Sequence, residues 1–334
     1  PALMTAGNTL RDRGPGPFLP ASWLRGAHAQ TIGAALLPSG PALPLEREIV
    51  ELPDGDFVEA HWGLPRRPEA RLMIILPGLE GASDSACVRR LLAAATGSHW
   101  QAVVLHARGC GDLPNRLPRG YHAGESGDLA AFLRWPSVAS HPAVAAVGYS
   151  LGGNILAKHL GETGPHSPLA AAAGVSVPYD LADAADAMDR RAAWLYRNRL
   201  LGRMKTRLRQ GIRSGRLPSR WRGALRSRTF RSFDDRFTAP CHGFADASDY
   251  YQRCSAGKFL DGIRRPTLLV HARDDPFMTP DCIPGPVGLP PEVSLQVFDR
   301  GGHLGFIHGG TPVRPESWLE ARVLAFLDSV VPQG

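Results

Sequence analysis

One pentapeptide constrains this 334-residue chain more than any other feature. Gly148-Tyr149-Ser150-Leu151-Gly152 stands between an apolar run at 144–147 and a helix-compatible stretch at 151–160. A chain that passes from strand to helix in so few residues forces the central serine into strained dihedrals. A side chain at 148 or 152 would clash, which explains both glycines. The turn lifts the Ser150 hydroxyl to the carboxyl end of a sheet, above a helix N-terminus that favours developing negative charge. In this context Gly-x-Ser-x-Gly is a nucleophile elbow. Ser150 is the candidate nucleophile, and the rest of the chain has to supply a parallel sheet.

The apolar runs supply one. Beta-like segments at 46–52 and 56–62 flank the hairpin signal Asp54-Gly55. Short apolar runs follow at 72–76, 102–105, 144–147 and 170–177, then at 267–271 and 293–298. Continuous apolar runs of this length suit strands buried on both faces. Helices are expected at 83–95, 124–133, 151–160 and 316–330. The alternation stops after 177 for roughly 85 residues and then resumes, which predicts one α/β domain interrupted by an insert. The expected division is an N-terminal arm at 1–45, a core at 46–177 and 252–334, and a helical cap at 178–251.

Charge is concentrated in that insert. Residues 190–236 hold sixteen of the 38 Lys and Arg and only two acids, so a segment of +14 sits in a remainder of −7. Leu201, Met204, Leu208 and Ile212 are spaced for one helical face, and Arg199, Arg203 and Arg207 for another. Such a cap is expected to be solvated or to attract an anionic membrane surface, lipid headgroups or acidic substrates. No nucleic-acid motif accompanies the charge, so a nucleic-acid partner is not expected. The five cysteines form no CxxC pair, which points to free thiols in a reducing cytoplasm and away from a zinc site. No apolar run approaches the length of a membrane span, and no signal peptide is expected.

The serine needs a base, an acid and an oxyanion hole. Among twelve histidines, His303 in Gly301-Gly302-His303 follows the last strand and precedes the last helix, with His308 as runner-up. The acid belongs in the loop after 267–271, which reads Ala272-Arg273-Asp274-Asp275-Pro276. Asp275 is preferred over Asp274 because the orienting acid in such loops typically stands three residues after a small residue. For the oxyanion, the expected donors are the N–H of Leu151, next after the nucleophile, and that of Leu79 in Pro77-Gly78-Leu79-Glu80-Gly81. No cofactor or metal is expected.

Further ordered pieces carry a resemblance. They include Trp23-Leu24-Arg25, His28 and Gln30-Thr31; Arg108-Gly109-Cys110; Pro114-Asn115-Arg116; Tyr121-His122; and Gly124-Glu125. Gly148 through Asn154, Ala239 through Phe244, Asp249-Tyr250-Tyr251, Asp274 through Phe277 and Gly301 through Phe306 complete them. With these the chain resembles the YheT-like α/β-hydrolases, relatives of the abhydrolase-domain lipases and esterases of eukaryotes. The resemblance implies an α/β-hydrolase fold, with a mostly parallel eight-stranded sheet flanked by helices and a helical cap. It also implies an esterase acting on small acyl esters, with Ser150, Asp275 and His303 as its triad. Thioesterase or acyltransferase chemistry on the same triad, or a non-catalytic lipid-binding role, are the alternatives. One position departs from the pattern: Pro77 stands where His commonly precedes the oxyanion glycine. No His is followed by Asp five residues later. The His-x4-Asp acyltransferase box of some eukaryotic relatives is therefore missing.

Overall fold

The computed structural model describes residues 3–4, 14–40, 42–285 and 287–332. Much of the expected arm, residues 1–2, 5–13 and 41, lies outside them. The strands, in chain order, are β1 (Leu3–Met4), β2 (Leu45–Glu51), β3 (Phe57–Gly63), β4 (Arg71–Leu76), β5 (Trp100–Leu105), β6 (Val144–Tyr149), β7 (Ala171–Val175), β8 (Thr267–Ala272) and β9 (Val293–Phe298). They form one sheet in the order β1-β9-β8-β7-β6-β4-β5-β3-β2. The eight expected strands are all present, and the two-residue β1 adds a ninth at the edge, antiparallel to β9. From β5 to β9 the pairing is parallel, with Leu76 opposite Gly148 and Gly148 opposite Gly174. The Asp54-Gly55 hairpin joins β2 to β3, with Gly55 at φ 85°.

Two-residue periodicity sorts the side chains of each strand between two cores. In β4, Leu72, Ile74 and Leu76 join Leu156 and Leu160 of the helix Leu151–Thr163 on one face. Met73 and Ile75 join Leu91 of the helix Ala86–Thr96, and Leu319 and Val323 of the helix Trp318–Val330, on the other. Each such side chain, fully buried, contributes roughly 1.5–3 kcal/mol. Both faces are thus covered by helices, and the carboxyl edge of the parallel strands is left to the loops that carry chemistry.

Between β7 and β8 the chain forms the helices Leu181–Met188, Trp194–Arg213 and Ala247–Cys254, with shorter helical turns among them. Asp180 caps the first by accepting the N–H groups of Ala182 and Asp183. In the second, Leu201 and Leu208 are buried with Leu217, Phe233 and Phe237, and Met204 and Ile212 pack against them. This is the apolar face expected from the spacing. Of the boundaries that differ from expectation, two have a clear local cause. The last helix begins at Trp318, because residues Ile307–Thr311 and Arg314–Ser317 pair as a small hairpin, β10 and β11. The helix expected from 83 begins at Ala86, because Ser85 Oγ accepts the Ala82 N–H and ties the preceding turn.

Candidate active site

Ser150 stands at φ 50° and ψ −117°, between the last residue of β6 and the first of its helix. The flanking glycines are required by contact as well as by conformation. A Cβ on Gly148 would lie 2.5 Å from Gly153 Cα, and one on Gly152 would lie 2.2 Å from Leu76 O. Gly153, which the pentapeptide does not include, is needed too, since its Cβ would meet Val177 at 2.6 Å. The Ser150 N–H donates to Val175 O at 2.9 Å, which fixes the elbow against β7.

A hydrogen-bonded line of two groups ends at this serine's hydroxyl. His303 Nε2 lies 3.0 Å from Ser150 Oγ, and His303 Nδ1 lies 2.8 Å from Asp275 Oδ2. His303 and Asp275 are both buried. His308 sits exposed on β10 instead. Asp274 has a different task, accepting the Gly302 N–H at 2.8 Å and so bracing the turn before His303. Buried His271 lies behind Asp275, its Nε2 3.9 Å from Oδ2, and full burial pushes its pKa down to about 4.

Several supports of this line are absent from the motifs. Phe277 stacks flat on the His303 imidazole, with centroids 3.9 Å apart and planes 5° from parallel. Its N–H donates to Asp275 Oδ1. Thr31, in the helix Ala27–Leu36, accepts the His303 N–H at 2.9 Å. The neighbouring Gln30 both donates to and accepts from the backbone of Ile307. Gln30 and Thr31 belong to the ordered pieces noted in the sequence, where the only signal was their pairing and no role could be assigned.

Leu79 lies in a turn closed by the Gly81 N–H on Gly78 O. Among the described residues, neither the Leu79 nor the Leu151 N–H donates a hydrogen bond within the chain. Both residues line the cavity that holds Ser150 and His303. The next residue, Glu80, sits at φ 57°, a position that favours glycine, and is anchored three ways. Its N–H donates to Tyr121 Oη, the Tyr121 hydroxyl donates back to Oε1, and Arg207 of the helix Trp194–Arg213 donates to Oε2 at 2.9 Å. The polar residues after β5 otherwise form a brace. Arg108 grips Asp128 with two hydrogen bonds and reaches Asp54, and Asn115 donates to Asp56.

The cavity measures about 570 Å³ and is lined by Leu79, Leu151, Leu181, Met188, Leu200, Met204 and Phe230, among others. Elsewhere, Glu59, His61 and Asp112 bring three ligand-type atoms within 4.8 Å of one another. Arg47 already lies 4.0 Å from Glu59 and 3.6 Å from Asp112, so a fixed cation serves those carboxylates.

A family model described as alpha/beta hydrolase fold matches residues 71–309. The chain belongs to the α/β-hydrolase family. This α/β-hydrolase is 40% identical over 311 residues to the Escherichia coli (strain K12) protein named "Putative esterase YheT", covering 92% of this chain and 91% of that one. It is 26% identical to "Phospholipase ABHD3" of Mus musculus, over 95% of this chain and 79% of the relative. The Pyrococcus furiosus esterase Pf2001 shares the fold at a TM-score of 0.57 and 14% identity, with 96% of this chain and 98% of that one covered. The resemblance noted in the sequence thus holds for the YheT-like branch of the α/β-hydrolases. No helix among the described residues is long and apolar enough to cross a membrane.

Proposed function

We propose that this α/β-hydrolase is a serine carboxylic ester hydrolase that works through an acyl-enzyme. The observation that carries this is the continuous line from Asp275 through His303 to the Ser150 hydroxyl, 2.8 and 3.0 Å per link, at the wall of an apolar cavity. Ser150 Oγ attacks the ester carbonyl carbon as His303 Nε2 takes its proton. Asp275 accepts the Nδ1–H and stabilises the imidazolium. The N–H groups of Leu151 and Leu79, both unspent, hold the oxyanion. The imidazolium then protonates the leaving alcohol. In the second step His303 takes a proton from water as it attacks the acyl carbonyl, then gives that proton to the departing Ser150 Oγ, which frees the acid and the serine.

Segment 178–251 serves in this reading as a cap. Its apolar residues offer the acyl chain a wall, and the +14 of its residues 190–236 offers an anionic lipid surface an approach. Relatives named as an esterase and a phospholipase support ester substrates of lipid type. Five free thiols support a reducing, cytoplasmic setting, with the cap touching membrane lipid only peripherally.

A fluorophosphonate probe tests the core of this reading. Wild-type protein is expected to lose ester hydrolysis on labelling, with the adduct on Ser150, and Ser150→Ala is expected to take no label. A folded wild-type protein that resists the probe and hydrolyses no ester would sink the proposal.

A further inference from the structure

The helix Trp194–Arg213 crosses the cavity between two fixed points. Near its start Tyr196 packs on Phe277, centroids 5.0 Å apart, and Phe277 stacks on His303. Further along, Arg207 is bonded to Glu80, the neighbour of Leu79. Positions 196, 199, 203 and 207 share one helical face and span about 16 Å. Arg199 and Arg203 therefore sit over the interval between the candidate base and the candidate oxyanion loop. Both line the cavity that contains Ser150.

Their charges are unspent. Six arginines line this cavity. Arg90 pairs with Glu320, Arg119 with Glu125 and Arg207 with Glu80. Arg216 donates only to the neutral Asn115 amide oxygen, and its buried Nε has no partner. Among the described residues, Arg199 and Arg203 have neither an ion-pair nor a hydrogen-bond partner, and both are exposed. The acids in the lining do not balance them. Glu80 is committed to Arg207, and buried Asp234 accepts from the Tyr251 hydroxyl, with its pKa pushed up to about 6 by burial. Only Asp84, exposed at the rim, is left. Like charges one turn apart disfavour the helix that carries them unless an anion sits between. Guanidinium groups are the side chains best shaped to grip a carboxylate or phosphate with paired hydrogen bonds.

We propose that Arg199 and Arg203, in the same cavity lining as Arg216, form a subsite for an oxyanion, carboxylate or phosphate, carried by the ester substrate itself. The apolar lining would take the acyl chain while the arginines take the charged end. This inference rests on the reading of Ser150 as nucleophile.

Two matched pairs of soluble short-chain esters, below their micellar concentration, test it in a pH-stat. Monohexanoylglycerol against its glycerol 3-phosphate counterpart places the anion on the alcohol side. Methyl hexanoate against monomethyl adipate places it on the acyl side. In at least one pair, wild-type kcat/KM is expected to favour the anionic member by about tenfold or more. That preference should shrink as salt rises from about 0.05 to 0.5 M. The exposed double substitution Arg199→Gln/Arg203→Gln is expected to bring the ratio close to one. Equal turnover within both pairs by wild-type protein that the fluorophosphonate labels at Ser150 would overturn the subsite and leave the hydrolase reading standing. A preference that survives the double substitution would also overturn it. Absence of both labelling and turnover would instead remove the reading on which the subsite rests.

Discussion

At the scale of single residues, the candidate site depends on how firmly one imidazole ring is held. His303 is bonded at both nitrogens, through its own N–H to Thr31, and across its face by Phe277. The hydrogen bonds fix where the nitrogens lie, and the stacked ring adds resistance to rotation out of the Asp275–Ser150 line. Phe277→Ala is therefore expected to lower kcat by about 10- to 100-fold, the cost of a modest misplacement of a catalytic group. KM should change much less, because the substrate's own contacts are largely elsewhere. Phe277→Tyr keeps the flat ring and should recover most of the rate. Steady-state kinetics on one soluble ester reads both variants, and an Ala variant with a raised KM but unchanged kcat would assign Phe277 to binding alone. Ser150, Asp275 and His303 were all legible from local motifs, because each sits in a glycine- or proline-marked turn at the end of a strand. Phe277 was quoted with its motif but given no role, since ring stacking leaves no pattern in sequence. Thr31 was equally silent: it meets a partner 272 residues away.

At the scale of elements, one ion pair joins the helix Trp194–Arg213 to the turn that carries Leu79. Glu80 is buried, and its carboxylate is compensated by Arg207 and Tyr121. The spacing of Arg199, Arg203 and Arg207 had suggested a single charged stripe, yet the third of these turns inward while the first two remain exposed. Nothing local distinguishes them; the difference is that Arg207 alone meets Glu80. Arg207→Gln leaves that carboxylate under-compensated and should cost about 1–3 kcal/mol of stability. Glu80→Gln alone leaves Arg207 without its ionic partner but still partly exposed to water, a smaller loss. The double substitution should cost less than the two single losses added together, which a urea-melt cycle would measure. Under the proposed oxyanion role of the Leu79 N–H, both single variants should also slow ester turnover, because a looser Glu80 loosens the turn that carries it. Additive losses would separate the helix from the turn and remove this role.

At the scale of the whole molecule, the periodic pattern of apolar runs foretold the sheet, because parallel strands buried on both faces cannot hide their composition. It did not foretell β10 and β11, whose largely exposed His308–Thr311 stretch offers no apolar alternation. The same double burial has a consequence for acid stability. His106 and His271 are held inside the sheet layer, and desolvation pushes both pKa values down to about 4. His106 accepts the Ser83 N–H at Nε2 and bonds Glu59 O through Nδ1, so the neutral ring uses both nitrogens and a second proton would face a donor. His271 has no hydrogen-bond partner at either nitrogen. An unfolded chain protonates both near pH 6.5. Between pH 6.5 and about 4 the unfolded state therefore binds protons that the native state does not. Stability is full above this window and is lost as pH falls through it, at up to about 1.4 kcal/mol per pH unit for each fully protonating group. Asp234, raised to about 6 by burial, opposes this trend over part of the range, since its native carboxyl keeps a proton that the unfolded chain releases. The comparison must therefore be made between variants. His271→Leu removes one titrating group without breaking a hydrogen bond. Its stability, from urea unfolding at intervals between pH 7 and 4.5, should fall less steeply with acid than that of wild type, by up to one proton's worth of slope. Parallel slopes would mean that His271 is protonated, or exposed to protonation, in the folded enzyme, and would contradict its place as a neutral ring beneath Asp275.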